Sequence, residues 1–313
     1  MDTMNYQGTL FSILSNEVRI EPWLFSNFIQ LRYVLDWELY CYDNHDIVVE
    51  TCPFIKKYTV PRELVNSKWE FFSEFIKDCI NNDIYIWCHL DRFYIPSQSD
   101  YQKKSHFHET LIYGYDDNKI FIADNLANGK YSTADCKYHE IEDAYNSVKS
   151  EYDFVTRIIM LKKKVEDNYV LNIDQVKDGL QRLLYSKPSF DPINCNVSSI
   201  YGLDVYKHML SRFEHHKHKI NKIDIRPFHL FWEHKKVMNL RLKYMVGKGL
   251  ISDQHSSVEG YVDLENKLMI LRNLVLKYNL TLNKELLDKI ESEVRYVLTR
   301  ERICLEDLLR TLI

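Results

Sequence analysis

The stretch His106-Phe107-His108-Glu109-Thr110-Leu111-Ile112-Tyr113-Gly114-Tyr115-Asp116-Asp117-Asn118-Lys119-Ile120-Phe121-Ile122-Ala123-Asp124 decides how the chain is read. Leu111, Ile112 and Tyr113 form an apolar, β-prone run. Asp116, Asp117 and Asn118 supply side chains that bond their own backbone in a turn, and Ile120, Phe121 and Ile122 return as a second strand. The result is a hairpin with a histidine near the start of one strand and an aspartate at the end of its partner. In an antiparallel pair those ends lie side by side, so His108 and Asp124 are expected within reach of each other. An imidazole whose tautomer is fixed by a carboxylate can serve as a catalytic base. The same spacing also fits a surface histidine beside a strand-end aspartate, and spacing alone favours that reading.

Working outward, Ile84-Tyr85-Ile86-Trp87-Cys88-His89-Leu90 reads as a preceding strand, followed by Asp91-Arg92-Phe93-Tyr94-Ile95-Pro96. Together with His108, the Gly114-Tyr115 pair and the strand closing on Asp124, this resembles the histidine half of papain-like cysteine proteases. It is most similar to the branch found in butirosin-type biosynthesis, over roughly the first half of the chain. The resemblance implies an α+β fold: a papain-like domain with an antiparallel sheet over residues 1–164, then a mostly helical domain over 165–313. It implies acyl transfer or amide formation in a peptide natural-product pathway. An acyl group would move from a carrier-protein thioester, through a cysteine, to an amine, with His108 as base and Asp124 as its orienter. The alternative it leaves open is a non-catalytic relative that binds a carrier protein or its acyl chain.

In that family the nucleophilic cysteine starts the first helix, where the helix dipole lowers its pKa. Here Tyr6 to Asn16 read as that helix, with Leu10, Ile13 and Leu14 on one face, and its start, Asn5 to Thr9, holds no cysteine. Thr9 and Ser12 offer hydroxyls, which ionise far less readily. Gln7 offers an amide to an oxyanion, although a solvated polar residue at a helix start is the commoner case. Cys52, in a loop after a strand, is the remaining thiol candidate; as a small buried apolar residue it has a more ordinary explanation. Cys41 and Cys88 read as strand interior. Asp91 and Tyr94 lie where a substrate-binding loop would pass.

Length and charge bound the rest. The 313 residues allow one large or two medium domains, and a formal net charge of −4 makes nucleic acid an unlikely main partner. Seven dispersed cysteines without a CxxC indicate reduced thiols, a cytoplasmic location and no structural zinc. No basic leader opens the sequence, and no run approaches the ~20 apolar residues that cross a bilayer. His106 and His108, with His215, His216 and His218, could in principle hold a metal, but the second cluster reads as a solvated helix end and no metal is expected. The absence of G-x-G-x-x-G and of a phosphate-cradling loop means that no nucleotide cofactor is expected.

The remaining elements follow from periodicity. Helices are expected over 22–35 and from Pro61 to Ile80, strands over 37–42, 47–49 and 154–161, and a short helix at 140–148. The second half is expected to be helical at 173–184, 202–213, 225–248, 261–278 and 283–298, with an exposed amphipathic tail from Arg295 to Arg310.

Overall fold

A computed structural model describes residues 4–14, 18–44, 47–127, 129–164, 168–189, 198–218 and 221–312. In chain order the elements are α1 (Asn5–Ile13), α2 (Glu21–Asn27), β1 (Leu31–Val34), β2 (Leu39–Tyr42), β3 (Ile55–Pro61), α3 (Arg62–Lys68), α4 (Phe72–Asn81), β4 (Ile84–Asp91), β5 (Phe107–Tyr115), β6 (Lys119–Asn125), β7 (Tyr131–Lys137), α5 (Tyr138–Asn146), α6 (Asp153–Thr156) and β8 (Arg157–Lys163). Then follow α7 (Ile173–Tyr185), β9 (Ser199–Tyr201), α8 (Asp204–His218), α9 (Arg226–Gly247), α10 (Ser256–Thr281) and α11 (Lys284–Thr311). The architecture is mixed α+β with antiparallel sheets. Among the described residues no helix is long and apolar enough to cross a membrane.

Two compact units form, one from residues 1–18 and 48–168, the other from 19–47 and 169–313. This corrects the linear division at 164/165, because residues 19–47 belong with the second half. The reason lies in backbone hydrogen bonding. β1 pairs with β9, Arg32 opposite Tyr201. The buried Arg241 of α9 donates to the carbonyls of Phe25 (2.7 Å) and Phe28 (2.6 Å), and His234 Nε2 lies 2.7 Å from the Ile29 carbonyl. These interactions absorb carbonyls at the end of α2, which stops at Asn27; Leu31–Val34 then runs as a strand where sequence periodicity predicts helix to 35. Lys235 and Glu301, both fully buried, pair at 2.6 Å and join α9 to α11. The tail from Arg295 is therefore not merely an exposed helix, since Val297, Glu301, Cys304, Leu305 and Leu308 are buried.

The first unit is a six-stranded sheet in the order β3-β8-β4-β5-β6-β7, with every pairing antiparallel. Ile86, Cys88 and Leu90 of β4, Ile112 of β5 and Ile120 and Ile122 of β6 pack with Phe72, Phe75 and Ile76 of α4 and Ile141 and Tyr145 of α5. The helix expected from Pro61 to Ile80 breaks into α3 and α4, and the strand expected from 154 begins only at Arg157. Residues 47–49 turn rather than extend.

One irregularity in this sheet matters more than the rest. β5 and β6 align Gly114 with Phe121, but Ile112 with Ile122, so Tyr113 is an extra residue. A bulge of this kind exchanges the faces of everything beyond it. With it, His108 and Asp124 share one face; in an unbroken register they would point to opposite sides. β5–β6 pairing runs only to Leu111 opposite Ala123, whereas β5 stays on β4 to Phe107 and β6 stays on β7 to Asn125. The two strands part there, and Asp124 lies in the fork.

α1 reaches this fork by close approach. A Cβ on Gly8 would stand 2.3 Å from the Tyr131 ring of β7. Gly8→Val should therefore destabilise the protein by about 1–3 kcal/mol in urea unfolding through overpacking. Gly247→Ala, where nothing lies within 4 Å of the added methyl, should shift stability by less than about 1 kcal/mol and toward the folded state.

Candidate functional site

The fork is filled with hydrogen-bonding side chains from five segments. Asp124 is fully buried. Its Oδ1 accepts from Asn5 Nδ2 at 2.8 Å, from the Asn125 amide at 2.6 Å and from Arg92 at 3.0 Å. Its Oδ2 accepts from Gln98 Nε2 at 2.8 Å, from Arg92 at 3.1 and 3.3 Å and from the Thr110 hydroxyl at 3.3 Å. His108 Nδ1 lies 3.1 Å from Asp124 Oδ1, 3.1 Å from the Glu109 carbonyl and 2.8 Å from Arg92. The expected His108–Asp124 proximity is thus present, but the carboxylate is not held by the histidine alone. Its charge is already paired with Arg92, and an Arg92 N–H donates to Nδ1 only when the ring proton sits on Nε2. The His108 side chain is 29% exposed, and its Nε2 has no partner among the described residues.

Asn5, first residue of α1, is the central amide of the network. Nδ2 donates to Asp124 and to the Glu109 carbonyl (2.9 Å), while Oδ1 accepts from Trp87 Nε1 at 3.1 Å and from Thr9 at 3.4 Å. It shares two neighbours, Asp124 Oδ1 and the Glu109 carbonyl, with His108 Nδ1. The helix start therefore presents to the His–Asp pair a fully bonded amide.

Cys52 does not join this site. Ile55 pairs with Lys163, Lys162 with Ile84, and Leu90 with His108. At ~4.8 Å per strand and ~3.3 Å per residue, Cys52 lies more than about 20 Å from His108. It is also buried, and desolvation pushes its thiol up to about 12. Burial likewise raises Cys79 and Cys136 to about 12 and Cys88 to about 11. Cys88, opposite Thr110 on β4, is nearest to the pair in register but sealed in the core.

The other expected site residues have structural partners. Gln7 is fully buried; its Oε1 accepts from the Met4 amide at 3.2 Å, and its Nε2 meets no acceptor among the described residues. Thr9 is buried 3.0 Å from the Tyr131 hydroxyl, and Ser12 bonds the Gly8 carbonyl at 2.6 Å. Tyr94 packs on the core beside Phe93. Asp91 folds the loop after β4: its carboxylate accepts from the amides of Phe93 (3.0 Å) and His106 (2.9 Å) and the hydroxyls of Ser105 (2.7 Å) and Ser147 (3.2 Å). Burial alone would raise its carboxyl, but these four donors outweigh it and hold it below the usual range. His106 faces outward to Asp100 at 2.8 Å. The side chains of His215, His216 and His218, and Cys195, lie outside the described residues, among which no group of three His, Cys, Asp or Glu could hold a metal.

Sequence reasoning missed Asn5, Arg92, Gln98 and Thr110. Arg92 stands inside the quoted Asp91-to-Pro96 stretch, and Thr110 shares His108's face by alternation, so both had a local signal.

Two outcomes follow. Asp124→Asn, which leaves Arg92 buried without its counter-charge, should cost about 3–5 kcal/mol in equilibrium unfolding. On the neighbouring strand position, burial, reinforced by His108, Arg62 and Arg157, lowers His89 from 6.5 to about 4. The folded state thus refuses a proton that the unfolded chain takes, so stability is full above pH ~6.5 and declines toward pH 4, by about 3 kcal/mol from this group. His89→Phe should flatten that part of a plot of urea midpoint against pH. Compared with known proteins, the chain matches no family model and no curated sequence.

Proposed function

We propose that the first unit is a papain-like domain that has given up its thiol and binds the acyl-bearing arm of a carrier protein. The observation that carries this reading is Asn5. In a papain-like arrangement the first turn of the first helix delivers the nucleophile to the histidine; here that turn delivers an amide bonded to Asp124, the Glu109 carbonyl and Trp87. The raised pKa values of Cys52, Cys79, Cys88 and Cys136 point the same way, because a thiol must ionise to attack.

A second reading, acyl transfer from a carrier-protein thioester to an amine with His108 as base and Asp124 as orienter, is favoured by the partly exposed ring, whose Nε2 meets no partner among the described residues. In that case the amine itself would attack the thioester.

Iodoacetamide at mildly acidic pH tests the loss of the thiol, and a transfer assay separates the two readings. The binding reading expects uniformly slow alkylation of the native cysteines, and rapid alkylation, faster by at least about tenfold, of the thiol introduced by Asn5→Cys. Fast single-site labelling of the unaltered protein would overturn it. A slow Asn5→Cys thiol in a protein of unchanged circular dichroism would remove the papain-like assignment of that helix start. Release of an acyl group from an acyl-carrier thioester to an amine, abolished by His108→Ala, would establish the second reading.

A further inference from the structure

The first unit holds a polar cavity of about 330 Å³, lined by Arg62, Asn66, Tyr145, Lys149, Ser150 and Thr156, among others. Its floor is unusual. Arg62 is only 6% exposed, yet no carboxylate lies within ion-pair distance of it among the described residues. Its two terminal nitrogens donate to the carbonyls of Tyr145 (2.8 Å) and His89 (2.8 Å), and the guanidinium lies 4.0 Å from the Tyr145 ring centroid. Nε is buried with no acceptor. A guanidinium cannot lose its proton to escape burial. Carbonyls and a ring face offset only part of the desolvation, so this cation lacks the anion that buried arginines normally have.

Lys149 adds an exposed second positive charge at the wall. Glu63, exposed on α3, is the one carboxylate lining the cavity. Amides from Asn66 and Asn146 and hydroxyls from Ser150 and Thr156 complete a wall able to bond several oxygens of one anion.

We propose that this cavity is a binding site for a phosphate group, with Arg62 as the buried anchor and Lys149 as a flanking cation. Arg62 links it to β4, the strand beside β5. The His89 carbonyl that Arg62 holds belongs to a residue paired with Glu109, next to His108. Ser147, between two lining residues, donates to Asp91, which organises the loop carrying Arg92. The phosphate could be free or part of a phosphopantetheine arm; assigning the arm rests on the carrier-protein reading above, whereas the pocket itself does not.

Isothermal titration calorimetry on the full chain, at constant ionic strength, tests both. Inorganic phosphate and pantetheine 4′-phosphate should each bind saturably at one site, and unphosphorylated pantetheine should not. Lys149→Glu, an exposed change that should leave the ligand-free melting temperature unchanged, and Arg62→Lys, which keeps one charge but loses the planar fork, should each weaken phosphate binding at least about tenfold. Much tighter binding of pantetheine 4′-phosphate than of inorganic phosphate assigns the arm as source; equal affinities assign free phosphate and leave the pocket proposal standing while counting against the arm. Heats indistinguishable from those of chloride, or binding that survives both substitutions in folded protein, would overturn the site.

Discussion

A carboxylate taken wholly out of water must be matched by donors, and Asp124 sets that requirement for the first unit. Its oxygens are met by α1 through Asn5, by β5 through Thr110, by the turn after β4 through Arg92 and by the following loop through Gln98. α1, the stretch from Arg92 to Gln98 and β5 are separate in sequence, so the carboxylate fixes where a helix, a loop and a strand end meet. The chemistry available to His108 is a consequence of this arrangement. Its imidazole sits at the rim of an ion pair already complete without it, which makes the fork a rigid polar wall before it is anything else.

Much of this arrangement is local and therefore legible. The hairpin, its turn chemistry and β4 follow from alternation and from Asp-Asp-Asn, and the helical second half follows from apolar spacing. The bulge at Tyr113 is not legible in the same way, because one extra residue in a strand leaves the composition of both runs unchanged while exchanging the faces beyond it. The His108–Asp124 proximity therefore rested on a feature that the spacing argument did not contain. Asn5 was overlooked for a different reason: a search for a nucleophile passes over an amide, although an amide at that position is what bonds Asp124.

The segment 19–47 shows the limit of reading by periodicity. Leu24, Phe28, Leu31 and Leu35 stand at helical spacing, yet α2 ends at Asn27. The cause is some two hundred residues away, where Arg241 and His234 take up the carbonyls of Phe25, Phe28 and Ile29. His234 is held neutral, first by burial and then by the adjacent Lys235, whose own charge is balanced by Glu301. Buried polar groups of this sort override propensity because an unmet donor or acceptor costs more than a few residues of helix preference.

The interleaving of the two units governs how the chain can mature on the ribosome. Residues 19–47 emerge early, but the strand that flanks β1, Ser199–Tyr201, and the helix that receives their carbonyls, Arg226–Gly247, are synthesised long afterwards. Until then Phe25 lacks its ring partner Tyr244 and one edge of β1 is unpaired, although the sheet carrying Asp124 can already close around residues 48–168. A nascent chain that has exposed residues 1–170 outside the ribosome would thus carry a finished sheet beside a sticky, partly unpaired insert, the sort of intermediate on which holdase chaperones act.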